Sequence, residues 1–124
     1  MSENNPYQAL GKFEPFNFLG IGFMLDEALK KVLCAGMEGR KKTAEQDLKE
    51  AVYSLKRAIK ASAEGDVYLG KASSYTLIDI SELIGVYGVT LRTPLKQLNA
   101  AQLILIFMQN GNRLLLRDAI EALR

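Results

Sequence analysis

A chain of 124 residues, 48% apolar and 24% charged, can bury one real core and is too apolar to stay disordered. Its net charge of +2 permits a nucleic-acid partner without demanding one. With no histidine and a single cysteine, Cys34, the chain lacks the parts for a Ser-His-Asp or Cys-His pair, a histidine-ligated zinc site or an internal disulfide framework.

Residues 1–16 carry Pro6, Gly11 and Pro15 and read as an ordered arm rather than a helix. The opening MSENNPYQAL lacks the basic-then-apolar layout of a secretory signal. The longest uninterrupted apolar run, Leu103 to Met108, is far shorter than the roughly 20 residues of a membrane span, so a cytoplasmic protein without a membrane partner is expected. Phe13, Phe16, Phe18 and Phe23 crowd into residues 13–23. Aromatic side chains at that density seldom stay in water, so the arm should lie against the body or against another subunit.

The first helix should start between Asn17 and Phe23 and be firm from Met24 to about Ala35, with Leu25, Leu29, Val32 and Leu33 as its apolar stripe. Asp26–Lys30 and Glu27–Lys31 are i,i+4 pairs outside that stripe, and Cys34 reads as a buried small hydrophobe. Gly36 and Gly39 end the helix. The basic triplet Arg40-Lys41-Lys42 leads into the longest helical pattern, Thr43 to Ala63. There Leu48, Ala51, Val52, Leu55 and Ile59 share one stripe, Thr43 and Gln46 form a capping box, and Gly65 suits a left-handed stop. Lys49, Tyr53, Lys56 and Lys60 line one side of the stripe, with Lys42 a heptad earlier; Asp47 and Glu50 lie on the other flank.

A loop over 64–74 precedes a third helix, Thr76 to Tyr87, with Leu77, Ile80, Leu83, Ile84 and Tyr87 inward and Gly88 as its stop. Thr93-Pro94 reads as a hydroxyl cap with proline at the first helical position. The helix it starts, Leu95 to Gln109, is apolar nearly all round from Leu103 to Met108 and should be buried on more than one side. Asn110-Gly111 is also a strong hairpin signal, but Leu95, Leu98, Ala101, Leu105 and Met108 keep helical spacing. Helix is therefore preferred, with Asn112 capping a fifth helix from Arg113 to Leu123.

Two acid pairs stand three apart on predicted helices, Asp47 with Glu50 and Asp79 with Glu82, and each could turn two carboxylates toward one magnesium ion. Paired acids on neighbouring helices resemble the MazG-type all-α nucleotide pyrophosphatases, which carry E-x-x-E and then E-x-x-D. The resemblance implies a magnesium-dependent nucleotide hydrolase. Here the windows are D-L-K-E and D-I-S-E, so the order of acids differs in both. Gly20-Ile21-Gly22 lacks the preceding strand and third glycine of a phosphate cradle. Ile80 to Lys96 looks like a helix-turn-helix with its turn at Gly85. Pro94 would then fall inside the recognition helix, where it costs about 3 kcal/mol.

These readings converge on an all-α fold: one domain over 1–124, a compact bundle of about five helices with an N-terminal aromatic arm. The expected function is a non-catalytic accessory protein without a cofactor, acting by protein–protein interaction and as a homo-oligomer. Phe13, Phe16, Phe18, Phe107 and Leu115 are its candidate interface. The alternative is nucleic-acid or anionic-ligand binding by Arg40, Lys41, Lys42, Lys49, Tyr53, Lys56 and Lys60, acting on phosphates without base reading.

Overall fold

The structure, a computed structural model, describes Asn5 and residues 7–124; the side chain of Phe18, one of the candidate interface residues, lies outside the described residues. Among the described residues every regular element is helical. A 3-10 turn, Gln8–Phe13, and a short helix α1, Pro15–Phe18, occupy the arm, where no helix was expected. Pro15 makes the second possible, since a proline at the first helical position gives up no intrahelical hydrogen bond. Five longer helices follow: α2 (Ile21–Cys34), α3 (Ala44–Ala63), α4 (Leu77–Val89), α5 (Leu95–Asn110) and α6 (Arg113–Leu123).

Local chemistry sets most of these limits. Thr43 Oγ1 accepts from Gln46 N at 3.1 Å at the start of α3. At its end Gly65 takes φ +94°, while Asp66 N reaches Ala61 O and Gly65 N reaches Ser62 O, which closes a Schellman motif. Gly111, at φ +71°, stops α5 with its N–H on Phe107 O, and Asn112 caps α6 by accepting from Leu114 N. Asn110-Gly111 is thus a helix stop and restart, not a hairpin. Three local expectations fail. Gln46 returns no side-chain bond to the Thr43 backbone, so Thr43 caps α3 without completing a capping box. Pro94, with ψ 146°, is itself the last non-helical residue before α5, so Thr93 provides no cap. Gly88 does not end α4, which runs on to Val89.

Helices α2 and α3 pack together, as do α5 and α6, and contacts of α3 with α6 and of α2 with α5 close a four-helix square. Leu25, Val32, Leu55, Ile104, Leu105 and Leu116 fill its centre. Cys34 sits at the edge, half-buried rather than enclosed. Both ends of α2 are tied by side chains from other elements. Asp66 Oδ2 accepts from Ile21 N at 2.9 Å at the start, and buried Gln97 of α5 donates to Val32 O at 2.8 Å and Ala35 O at 3.2 Å at the end. Gln97→Leu keeps the volume but strands two buried carbonyls. Urea unfolding should register a loss of about 1–3 kcal/mol, the cost of buried acceptors without donors.

Helix α4 lies outside the square, its contacts concentrated on α5. Ile80 is its single buried residue, with Leu83, Ile84 and Tyr87 half-buried beside it. Leu77, expected to face inward, is exposed, because one neighbouring helix covers only a narrow arc. Its two interior glycines differ. A Cβ on Gly88 would come within 3.1 Å of Leu98 on α5, whereas a Cβ on Gly85 would meet nothing within 4 Å. Glycine inside a helix costs about 0.8–1 kcal/mol relative to alanine, and at Gly85 nothing in the fold calls for it.

Candidate functional site

The basic residues before and along α3 are drawn inward. Arg40 grips Asp47 with two hydrogen bonds, Nη2 to Oδ1 at 2.7 Å and Nε to Oδ2 at 3.1 Å, and Asp47 is fully buried. That contact holds the Arg40 guanidinium above its ordinary pKa. Lys42 Nζ meets Glu50 Oε1 at 2.6 Å, and Lys31 reaches the same oxygen at 3.4 Å and Glu27 at 3.1 Å. Glu50 and Lys31 are both buried, so the flank of α3 that carries Glu50 is interior and the Glu27–Lys31 pair turns inward. Each of these charges has an opposite partner between α2 and α3, as buried ions require.

Lys49 pairs with Glu45 at 3.1 Å, as i,i+4 spacing allows. Tyr53 takes a hydrogen bond from Arg57 at 3.0 Å and stands edge-on to Phe16, so it is part of the arm's packing. Lys41, Lys56 and Lys60 are exposed. Of the seven residues of the basic stripe, Arg40 and Lys42 thus pair inward, Lys49 pairs at the surface, Tyr53 packs with the arm, and Lys41, Lys56 and Lys60 stay exposed.

The four acids do not converge either. Asp47 and Glu50 are buried among bases on α3; Asp79 is exposed on α4 and closes a capping box with Thr76, and Glu82 is exposed one turn on. No group of three or more His, Cys, Asp or Glu among the described residues is placed to hold a metal ion. Helix α4 also passes through Gly85 unbroken, which removes the turn a helix-turn-helix would need.

The candidate interface divides as well. Phe16 and Phe107 belong to the core, Leu115 is half-buried, and among the described residues of the set Phe13 alone is widely exposed, with Lys12 Nζ 5.1 Å from its ring centre. The arm lies on its own body. Arg57, which no motif singled out, holds it there by donating to Glu14 Oε1, Phe16 O and Asn17 Oδ1 at 2.7–3.1 Å. Burial, with Glu27 nearby, pushes the Tyr7 phenol above its ordinary pKa in the same layer.

No family model matches the chain, and no curated protein or solved structure matches it.

Two surface features remain. A cleft of about 750 Å³ lies between the 65–73 loop and the α5–α6 turn, with Arg113 and Arg117 along it. The lining residues include one carboxylate, Asp66, engaged with Ile21 N through Oδ2, the hydroxyls of Ser62, Tyr68 and Ser73, and no thiol or imidazole. The second feature is the outer side of α4. Ile78 is 70% exposed and Val89 82%, with Leu77, Val86, Leu91 and Leu95 open around them. The sequence carried a signal for this surface. From Leu77 to Val89 apolar residues occur all round the helix, yet no base and only two acids break them. Such a helix needs cover on every side, and α5 supplies it on one.

Proposed function

We propose that this chain acts by binding another protein chain, with the outer face of α4 as its contact surface, and performs no chemistry of its own. The observation that carries this reading is the exposure of α4. Six large aliphatic side chains between Leu77 and Leu95 stand open to water while Ile80 alone in the helix is buried. Withdrawing apolar surface from water gains about 25 cal/mol per Å², and a monomer seldom leaves a contiguous apolar patch beyond a few hundred Å² without a use for it. The inward pairing of Arg40 and Lys42, with the surface pairing of Lys49 to Glu45, favours this face over the basic stripe, because those charges are already compensated. No helix among the described residues is long and apolar enough to cross a membrane.

A photo-reactive amino acid placed at Val89 tests the reading in the native host, with Lys41, an exposed position ahead of α3, as control. Discrete protein adducts at Val89 and few at Lys41 are expected. Equal labelling at both positions, or none at Val89, would remove α4 as the contact face.

A further inference from the structure

Resting on that reading, we infer that the partner of α4 is a second copy of α4, crossing antiparallel at Gly85. Three features of the helix point there. At about 100° per residue, Ile78, Ser81, Glu82, Gly85 and Val89 fall on one arc opposite Ile80, and Leu77 and Val86 flank it. Between the aliphatic knobs Ile78 and Val89 the arc is small at Ser81 and Gly85, with Glu82 on one rim, so it forms a shallow saddle. Two such saddles fit one another when the helices cross at their centres, and small residues at the crossing let the backbones come close.

Gly85 is the second feature. Its neighbour Gly88 is explained by Leu98, but the space around Gly85 is open, so nothing within the chain blocks a close approach by another helix there.

Charge then selects the orientation and the partner. Both acids of α4, Asp79 and Glu82, lie in its first half, the helix carries no base, and the next bases, Arg92 and Lys96, follow its C-terminal end. A parallel pair would set acids beside acids. An antiparallel pair crossing at Gly85 sets the acidic end of each copy beside the basic end of the other and opposes the two helix dipoles. The arrangement places position 81 of one copy opposite position 89 of its partner, and 82 opposite 88. A two-fold contact of this kind uses one patch twice, as isologous dimers do.

Sedimentation velocity over a concentration series, with three variants, tests the pairing. The unmodified chain is expected to dimerise reversibly. Gly85→Leu should keep the circular dichroism and melting of a folded monomer yet weaken the dimer roughly ten- to a hundred-fold, the effect of overpacking a close contact. Orientation is read by cross-linking. Ser81→Cys mixed with Val89→Cys should form bridged dimers more readily than either variant alone, above the background set by Cys34 in the unmodified chain. A monomer at every concentration, a dimer indifferent to Gly85→Leu, or bridging strongest within Ser81→Cys alone would each overturn the antiparallel pair. If the chain proves monomeric while Val89 still forms discrete adducts with a different protein, self-pairing fails and α4 stands as a contact face. Absence of both dimer and adducts removes the two together.

Discussion

Arg40→Ala is expected to destabilise the fold by about 3–5 kcal/mol, a large part of the 5–15 kcal/mol that holds a typical domain folded. The cost does not come from losing a surface ion pair, which would be worth about 0–1 kcal/mol. Asp47 is fully buried, and both its oxygens are satisfied by Arg40 at 2.7 and 3.1 Å. Removing the guanidinium leaves a carboxylate enclosed by protein without its two donors. The arginine is also the only piece of the 36–42 connection gripping α3 by two parallel hydrogen bonds, so its loss should free that connection as well. A double variant, Arg40→Met with Asp47→Leu, removes the charges together and should recover most of the loss, since a well-packed apolar pair can replace a buried ion pair at little cost. Urea unfolding of wild type, Arg40→Met, Asp47→Leu and the double variant closes the cycle, with Arg40→Ala measured beside them. If Arg40→Ala stayed within 1 kcal/mol of wild type, Asp47 would have to reach water, and the burial assigned to it would be wrong.

Asp47 also marks where reading residues in order stops working. The five long helices and most of their ends follow from short-range chemistry: Thr43 with Gln46, Gly65 with the last carbonyls of α3, Gly111 as a stop and Asn112 as a cap. Helical angles likewise put Asp47 and Glu50 beside the apolar stripe of α3, where they are found. What angles alone cannot give is the width of the buried arc. Helix α3 is covered by α2 on one side and α6 on another, so its flanks are interior too. The bases that neutralise those flanks come from the preceding connection, Arg40 and Lys42, and from Lys31 on another helix. Two cations of the run that resembled a phosphate-binding stripe, Arg40 and Lys42, thus belong to an internal charge balance. Gln97 has no local signature either, since its partners lie more than sixty residues away. For α4 the difficulty was reversed. Its apolar pattern was plain, but whether one helix or three would cover it depends on where the chain turns, and Gly85 looked like a weak point in the helix rather than a place another chain could approach.

Phe16→Ala should be comparably damaging, at about 3–5 kcal/mol, while Phe13→Ala three residues earlier should fall within about 0.5 kcal/mol of wild type. The two phenylalanines share an arm and a residue type, and differ in what they touch. Phe16 is 2% exposed, with its ring edge-on to Phe23 at 5.3 Å and to Tyr53 at 5.2 Å, tilted against Tyr7 at 5.6 Å, and under the Arg57 guanidinium at 5.6 Å. Phe13 is 70% exposed. Truncating Phe16 empties the centre of four contacts at once and removes the packing that lets Arg57 hold Glu14 and the Phe16 carbonyl. The arm should then become open to protease under native conditions. Its release would also bare Phe23 and Tyr53, giving a second source of association unrelated to α4. That association would persist when Gly85→Leu is added to Phe16→Ala, whereas pairing through α4 would be lost. Limited proteolysis and sedimentation of the single and double variants separate the two effects, and an arm in Phe16→Ala as resistant as wild type would mean that Arg57 alone anchors it.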